Sequence, residues 1–380
     1  MKIVIIGTAY PFKGGLASFN ERLAYACQKQ GHDTSIVTFR LQYPDFLFPG
    51  KTQYSDEPAP EGLSITRLIN SVNPFNWLKA GRQIRQQAPD LILIKYWLPF
   101  MAPCFGTILR IVKKNRHTRI ISILDNVLPH EKRPGDTAFT RYFLRPVDAF
   151  VGMSREVVGD LRRFEKEKPA LLAPHPVYDN YGEPLSQTEA RRMLGLPEEG
   201  RYILFFGYIR KYKGLDLLLE AMADSRIREA DIRLIVAGEY YGDQDAYDAL
   251  IDKLGIRNSL CLFTGFIPNT DVRLYFSAAD CVVQPYRTAT QSGISQIAYH
   301  YEKPMIVTRV GGLPEIVPDG KVGFVTDVDP RAIADAIIRF YSEDRAPAFA
   351  AHLHEEKQKY GWDYFTECLI DLYRQLTGTA

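Results

Sequence analysis

Short unbroken apolar runs alternate with helix-period segments along nearly the whole chain. Residues 3–6 precede a helical pattern at 16–30 and a second apolar run at 34–39; 91–94 precede a helical pattern at 102–114, then 120–124 and 149–152. Runs that stay apolar, rather than alternating with polar residues, predict parallel strands covered on both faces. The repeated strand–helix–strand order predicts a doubly wound sheet. From 169 to 197 the texture changes, with Pro169, Pro174, Pro176, Pro184 and Pro197 interrupting any regular element, so a hinge is expected near 177–183. The rhythm restarts with strand runs at 202–206, 233–237, 260–263, 281–284 and 305–308 and helical segments at 215–223, 247–254, 272–278 and 294–301. This predicts a second parallel sheet, followed by a charge-rich helical tail at 349–376. The expected fold class is α/β, with two doubly wound parallel-sheet domains at 1–178 and 179–356 and a closing segment at 357–380.

Composition narrows the function without naming it. A chain of 380 residues suits two domains, and 46% hydrophobic content excludes wholesale disorder. A net charge of +2 gives no reason to expect nucleic acid as a partner. Cys27, Cys104, Cys261, Cys281 and Cys368 form neither a zinc pattern nor a disulfide framework, so buried reduced thiols and a cytoplasmic setting are expected. The opening run Met1–Gly7 is too short for a signal peptide, and no run has the roughly 18–20 apolar residues of a membrane span.

The candidate chemistry lies at strand ends. After the run at 202–206 come Gly207, Arg210, Lys213 and Gly214. Arg210 offers a planar fork and Lys213 a compact charge to phosphate oxygens; a plain solvated basic loop is the alternative. After 281–284 come Gln291, Ser292 and Gly293, opening a helix whose first N–H groups and dipole favour an anion. Ser292 reads equally as an N-cap, contributing about 1 kcal/mol. After 305–308 come Gly311, Gly312, Leu313, Pro314 and Glu315, a backbone turn into a helix start. Three such elements in one domain describe a diphosphate site. In the first domain the loop from Gly7 to Gly15 matches neither Gly-x-Gly-x-x-Gly nor a P-loop, which counts against a nicotinamide enzyme or an ATPase; Gly14 and Gly15 remain candidates to face a ligand. Asp125, Asn126, Pro129, His130 and Glu131 follow 120–124; Asp125 and His130 are candidates to orient sugar hydroxyls or move protons, or else a turn cap and an exposed imidazole.

Taken jointly, Pro11-x-x-Gly14-Gly15, Gly31-His32, Pro129-His130-Glu131, Arg210-x-x-Lys213-Gly214, Ala237-Gly238-Glu239, Gly265-Phe266-Ile267, Gln291-Ser292-Gly293 and Gly311-Gly312-Leu313-Pro314-Glu315 resemble the retaining glycosyltransferases of family 4, across essentially the whole chain. The resemblance implies the GT-B architecture, two Rossmann-like domains facing across a cleft, the first for the acceptor and the second for a nucleotide-sugar. It further implies that Arg210 and Lys213 neutralise the diphosphate and that the backbone at Ser292 and Gly293 cradles it. Phe266 and Ile267 would border the base, Glu239, Gln291, Gly312 and Glu315 would complete the donor site, and Asp125 and His130 would meet the transferred sugar. The last helix, with Trp362, would cross back onto the first domain. Where relatives carry two glutamates eight residues apart, this chain has Ala289 and Ile297, which leaves donor identity open.

Of two Asp-x-Asp patterns, the one at Asp243 and Asp245 sits in a turn and that at Asp327 and Asp329 looks like capping, so no metal and no cofactor is expected. Basic, aromatic stretches at 77–85 and 96–119 suit either buried helices with charged outer sides or an interfacial segment at the inner face of an anionic membrane. The expected activity is hexosyl transfer from a nucleotide-diphosphate sugar to a saccharide or lipid-linked acceptor in cell-surface polysaccharide or glycolipid synthesis. The alternatives are a nucleotide-sugar epimerase and a catalytically degenerate donor-binding subunit.

Overall fold

The computed structural model describes residues 1–44, 52–55, 57–127, 134–242, 244–290 and 292–378. It divides into two compact units, Met1–Pro176 with Tyr360–Ala380, and Val177–Lys359. In the first, strands β1 (Lys2–Ile6), β2 (Asp33–Leu41), β3 (Ser64–Asn70), β4 (Leu91–Tyr96), β5 (Arg119–Leu124), β6 (Ala149–Gly152) and β7 (Ala170–Leu172) form a parallel sheet in the order β3-β2-β1-β4-β5-β6-β7. β4 is buried at every position, as a strand with helices on both faces must be. One face carries the helices Pro74–Gln87, Ala102–Val112 and Asp136–Leu144, whose Ile84, Phe105, Leu109 and Phe143 join Val4, Ile92 and Phe150 in one core.

The other face packs on the helices Gly15–Lys29 and Trp362–Thr377. Phe19 meets Trp362 at 5.2 Å and Phe365 at 5.9 Å between ring centroids. Burying side chains of this kind contributes about 1.5–3 kcal/mol each, which attaches the returning helix firmly to this sheet.

The second unit repeats the plan. β8 (Arg201–Phe206), β9 (Ile232–Ala237), β10 (Leu260–Phe263), β11 (Cys281–Gln284), β12 (Met305–Thr308) and β13 (Gly323–Thr326) run parallel in the order β10-β9-β8-β11-β12-β13. Strand order reverses between β1 and β4 in one unit and between β8 and β11 in the other. In open α/β sheets, ligands bind beyond the carboxyl ends of strands at such a reversal.

Two differences from the sequence expectations have physical causes. The proline-rich stretch contains β7, an edge strand that needs only main-chain bonds to β6, and a helix, Gln187–Met193, capped by Ser186, whose Oγ accepts from Glu189 N at 3.3 Å. β3 and β13 were not anticipated, because β3 is largely exposed and β13 has only four residues. Within the segment 96–119, the helix Ala102–Val112 has the buried face that one of the two expectations gave it. Tyr96, Phe105, Ile108 and Leu109 are core, Arg110 donates to the carbonyls of Gly106 and Tyr142, and Lys113 pairs with Asp148 at 2.7 Å.

Candidate functional site

In the second unit, the loops leaving β8 and β11 are pressed together by a glycine. Gly214 has φ 67°, and a Cβ placed there would lie 2.0 Å from the Pro285 carbonyl oxygen. Arg287 N donates to Tyr212 O at 2.7 Å, tying the same two loops. The tight turn Lys211–Lys213 then carries the Lys213 side chain inward, leaving the residue only 9% exposed. Its neighbourhood is fixed by Gly207, φ 96°, where a Cβ would stand 3.0 Å from Lys213 Nζ and 3.3 Å from Ile294 Cδ1. The ammonium therefore sits beside the first turn of the helix Gly293–His300, and 5.8 Å from the centre of the Tyr286 ring. Lys213 N donates to Arg210 O at 2.9 Å, but among the described residues its ammonium has no hydrogen bond and no ion pair. Burial, and then the charge of Arg210, lower its pKa to about 7.

Arg210 is exposed, its guanidinium 4.8 Å above the Tyr241 ring, which lies 4.3 Å from that of Tyr208. A third nearby cation, Arg287, is neutralised by Asp216. Of the three basic side chains, the buried one is thus without a counter-charge among the described residues.

The helix beyond β11 is held by its own polar network. Ser292 Oγ donates to Gln284 Oε1 at 2.6 Å and accepts from Ser295 N at 3.4 Å. Ser292 is therefore the N-cap, and the backbone it fixes presents the helix's leading N–H groups. Gly293 lies against Tyr178, whose Cε2 would be 3.0 Å from an added Cβ. Gly312 N donates to Ala289 O at 3.3 Å, joining the β12 loop to the β11 loop, and the following helix, Leu313–Ile316, is a single turn with Glu315 exposed. Glu239 is buried after β9, and its carbonyl accepts from Ile209 N at 2.8 Å. Phe266 and Ile267 follow β10, both half-buried. Gln291 and His130 lie outside the described residues. Ala289 and Ile297 are apolar and buried, whereas Gln296 beside them is fully buried with neither amide atom hydrogen-bonded.

In the first unit, Gly14 (φ 100°) precedes the helix that Gly15 opens, and Asp125 follows β5. The sequence reading overlooked the partner of Asp125. Lys95, the penultimate residue of β4, pairs with it at 3.2 Å, and its ammonium lies 3.2 Å from the centre of the Phe19 ring. A single lysine interrupting Leu91-Ile92-Leu93-Ile94 and Tyr96 was the available signal. His175, buried nearby, is kept neutral, its pKa lowered to about 3 by burial and the Lys95 charge. Glu21, whose carboxylate accepts from Tyr10 N at 2.7 Å, has its pKa raised to about 7 by burial. Among the described residues no cluster of three His, Cys, Asp or Glu side chains suits a metal ion.

Residues 186–360, the body of the second unit, match the model of the glycosyl transferases group 1 family. The second unit thus carries a group 1 glycosyltransferase domain. Among curated relatives, the D-inositol 3-phosphate glycosyltransferase of Corynebacterium urealyticum is 29% identical over 56% of this chain and 52% of its own. That of Thermobifida fusca is 27% identical over 95% of this chain and 88% of its own. The chain thus spans about half the length of the first of these relatives. Sucrose-phosphate synthase from Thermosynechococcus elongatus superposes with a TM-score of 0.78 at 17% identity, covering 100% of both chains, a likeness of fold, here the GT-B fold. The family match lies on the unit that contains Lys213, Ser292 and Gly312.

Proposed function

We propose that this glycosyltransferase moves a hexose from a nucleoside-diphosphate sugar to a saccharide or lipid-linked saccharide acceptor, with retention of configuration and without a metal ion. The observation that carries the donor reading is the buried Lys213 ammonium, unpaired among the described residues, beside the capped helix start at the β8/β11 reversal. A buried charge without a partner is costly in a folded protein, and a diphosphate is the counter-charge that the neighbouring N–H groups also suit. As the glycosidic bond breaks, the leaving diphosphate gains negative charge. Lys213, Arg210 and the amides at Gly293 and Ile294 stabilise it more than the bound ground state, the work a divalent cation does where such side chains are missing. Retention and the acceptor class rest on the family 4 resemblance. The donor-contacting role proposed for Gly14 and Gly15 and the catalytic role proposed for Asp125 rest on the same resemblance.

The buried apolar Ala289 and Ile297 favour a second reading, a subunit that binds donor without turnover. A thermal-shift screen of UDP-, GDP-, ADP- and TDP-sugars, followed by turnover assays with saccharide acceptors, separates the two. One donor should stabilise the protein selectively, by RT ln(1 + [L]/Kd), and support transfer. No stabilisation by any of them sinks the donor reading, and stabilisation without transfer supports the second.

Proton linkage gives an independent check. Free Lys213 is mostly neutral above a pH of about 7, and a bound diphosphate restores its charge. Donor binding at pH 8 is therefore expected to take up as much as one proton, and affinity to weaken as pH rises past 7. Calorimetry at pH 8 in buffers of different ionisation enthalpy reads the uptake; equal uptake in Lys213→Met would assign it elsewhere. In folding the sign is opposite to that of an ion-paired lysine. The unfolded chain binds the proton that the folded one releases, so this residue's contribution to stability improves from pH 7 upward.

A further inference from the structure

The helix Pro74–Gln87 turns one face inward and leaves the other exposed among the described residues. Ala80, Gly81 and Ile84 are its buried positions. Gly81 allows close approach to the helix Ala102–Val112, since a Cβ there would lie 2.9 Å from Ile111 Cβ. The start is fixed too: Asn76 N donates to Asn73 Oδ1 at 3.2 Å, and Trp77 Nε1 donates to Asn70 O at 2.8 Å. At about 100° per residue, Phe75, Leu78, Lys79, Arg82 and Gln86 then share the opposite side. Phe75 is 83% exposed, Leu78 40%, and Val72 just before the helix 44%. The turn Lys113–Asn115, packed against the same helix, adds exposed Lys114 and is followed by exposed Arg116. The helix contains no Asp or Glu, and Lys79, Arg82, Lys114 and Arg116 make no ion pair among the described residues.

We propose that this face docks on an anionic lipid surface, with Phe75, Leu78 and Val72 entering the acyl boundary and the four cations meeting lipid phosphates. A large ring held outward by a rigid helix whose same face carries Lys79 and Arg82, unpaired among the described residues, is the pattern of an interfacial helix. A second copy of the chain fits it poorly, because a symmetric pairing would bring two sets of like charges together. No helix among the described residues is long and apolar enough to cross a membrane, so attachment here is to one surface only. The proposal does not depend on the donor reading.

The test is co-sedimentation of the full chain with vesicles of phosphatidylcholine alone and of phosphatidylcholine with phosphatidylglycerol. Binding should require the anionic lipid and fall between low and high salt. Phe75→Ser should weaken it roughly tenfold. Lys79→Gln with Arg82→Gln should weaken it about twentyfold, near fivefold per cation. These positions are exposed, so the melting temperature should stay unchanged, confirming folded variants. No pelleting with anionic vesicles at low salt, or pelleting equal in the variants and the wild type, overturns the proposal. So does a dimer in sedimentation velocity that Phe75→Ser dissociates, which would assign the face to self-association.

Discussion

Replacing Lys213 by methionine is expected to lower sugar transfer on the order of a hundredfold while leaving thermal stability equal or higher. The first figure is the scale reported for removing one donor to a developing oxyanion. The second follows because methionine fills a similar volume without the desolvated charge that burial disfavours at this position. Few substitutions separate activity and stability in this way. A residue that merely packs would lose both, and a surface lysine would lose neither. Arg210→Ala removes a cation in higher dielectric, so its loss should be the smaller of the two. Purified Lys213→Met turning over at the wild-type rate with the best donor from the screen would remove Lys213 from the mechanism.

Gly214→Ala should be the most damaging single methyl in the second unit's ligand loops. The left-handed backbone at φ 67° costs about 1–2 kcal/mol for a residue with a Cβ. The overlap with Pro285 O adds about 1–3 kcal/mol of overpacking. For a unit of this size each kcal/mol lowers Tm by roughly 2–4 °C, so the unfolding of this unit should shift by several degrees. Donor binding should fall further than stability predicts, since relief of the clash moves the β8 loop, and Lys213 with it, away from the β11 loop. A variant with unchanged Tm and unchanged donor affinity would show that the two loops are not coupled through this contact. The serial arrangement of a lysine followed by a glycine thus has a reason: one supplies the charge, the other lets it be carried inward.

Most of the sheet framework was legible because buried parallel strands carry no polar interruptions. The runs at 149–152, 260–263, 281–284 and 305–308 coincide with β6, β10, β11 and β12. β3 and β7 were not legible, because edge strands need few apolar side chains and their stability comes from main-chain bonds to a neighbour already in place. At the site, the identity of Lys213 and Ser292 could be read from the chain, but the pairing state could not. Arg287 and Lys213 look alike in sequence. Only the fold shows that Asp216 neutralises the first and nothing described neutralises the second. Lys95 was overlooked for the opposite reason. Its strand reads as core, and its companion Asp125 is distant in sequence yet on the adjacent strand's end.

The helix Trp362–Thr377 belongs to the sheet formed by the opening residues, although the whole second unit precedes it in the chain. During synthesis, then, Phe19 and its sheet emerge long before the aromatic lid that covers them has been translated. That sheet must wait, with an apolar surface bare, until the whole intervening unit has been made. Nascent chains shortened before Trp362 should engage chaperones through that surface, and full-length chains should release them.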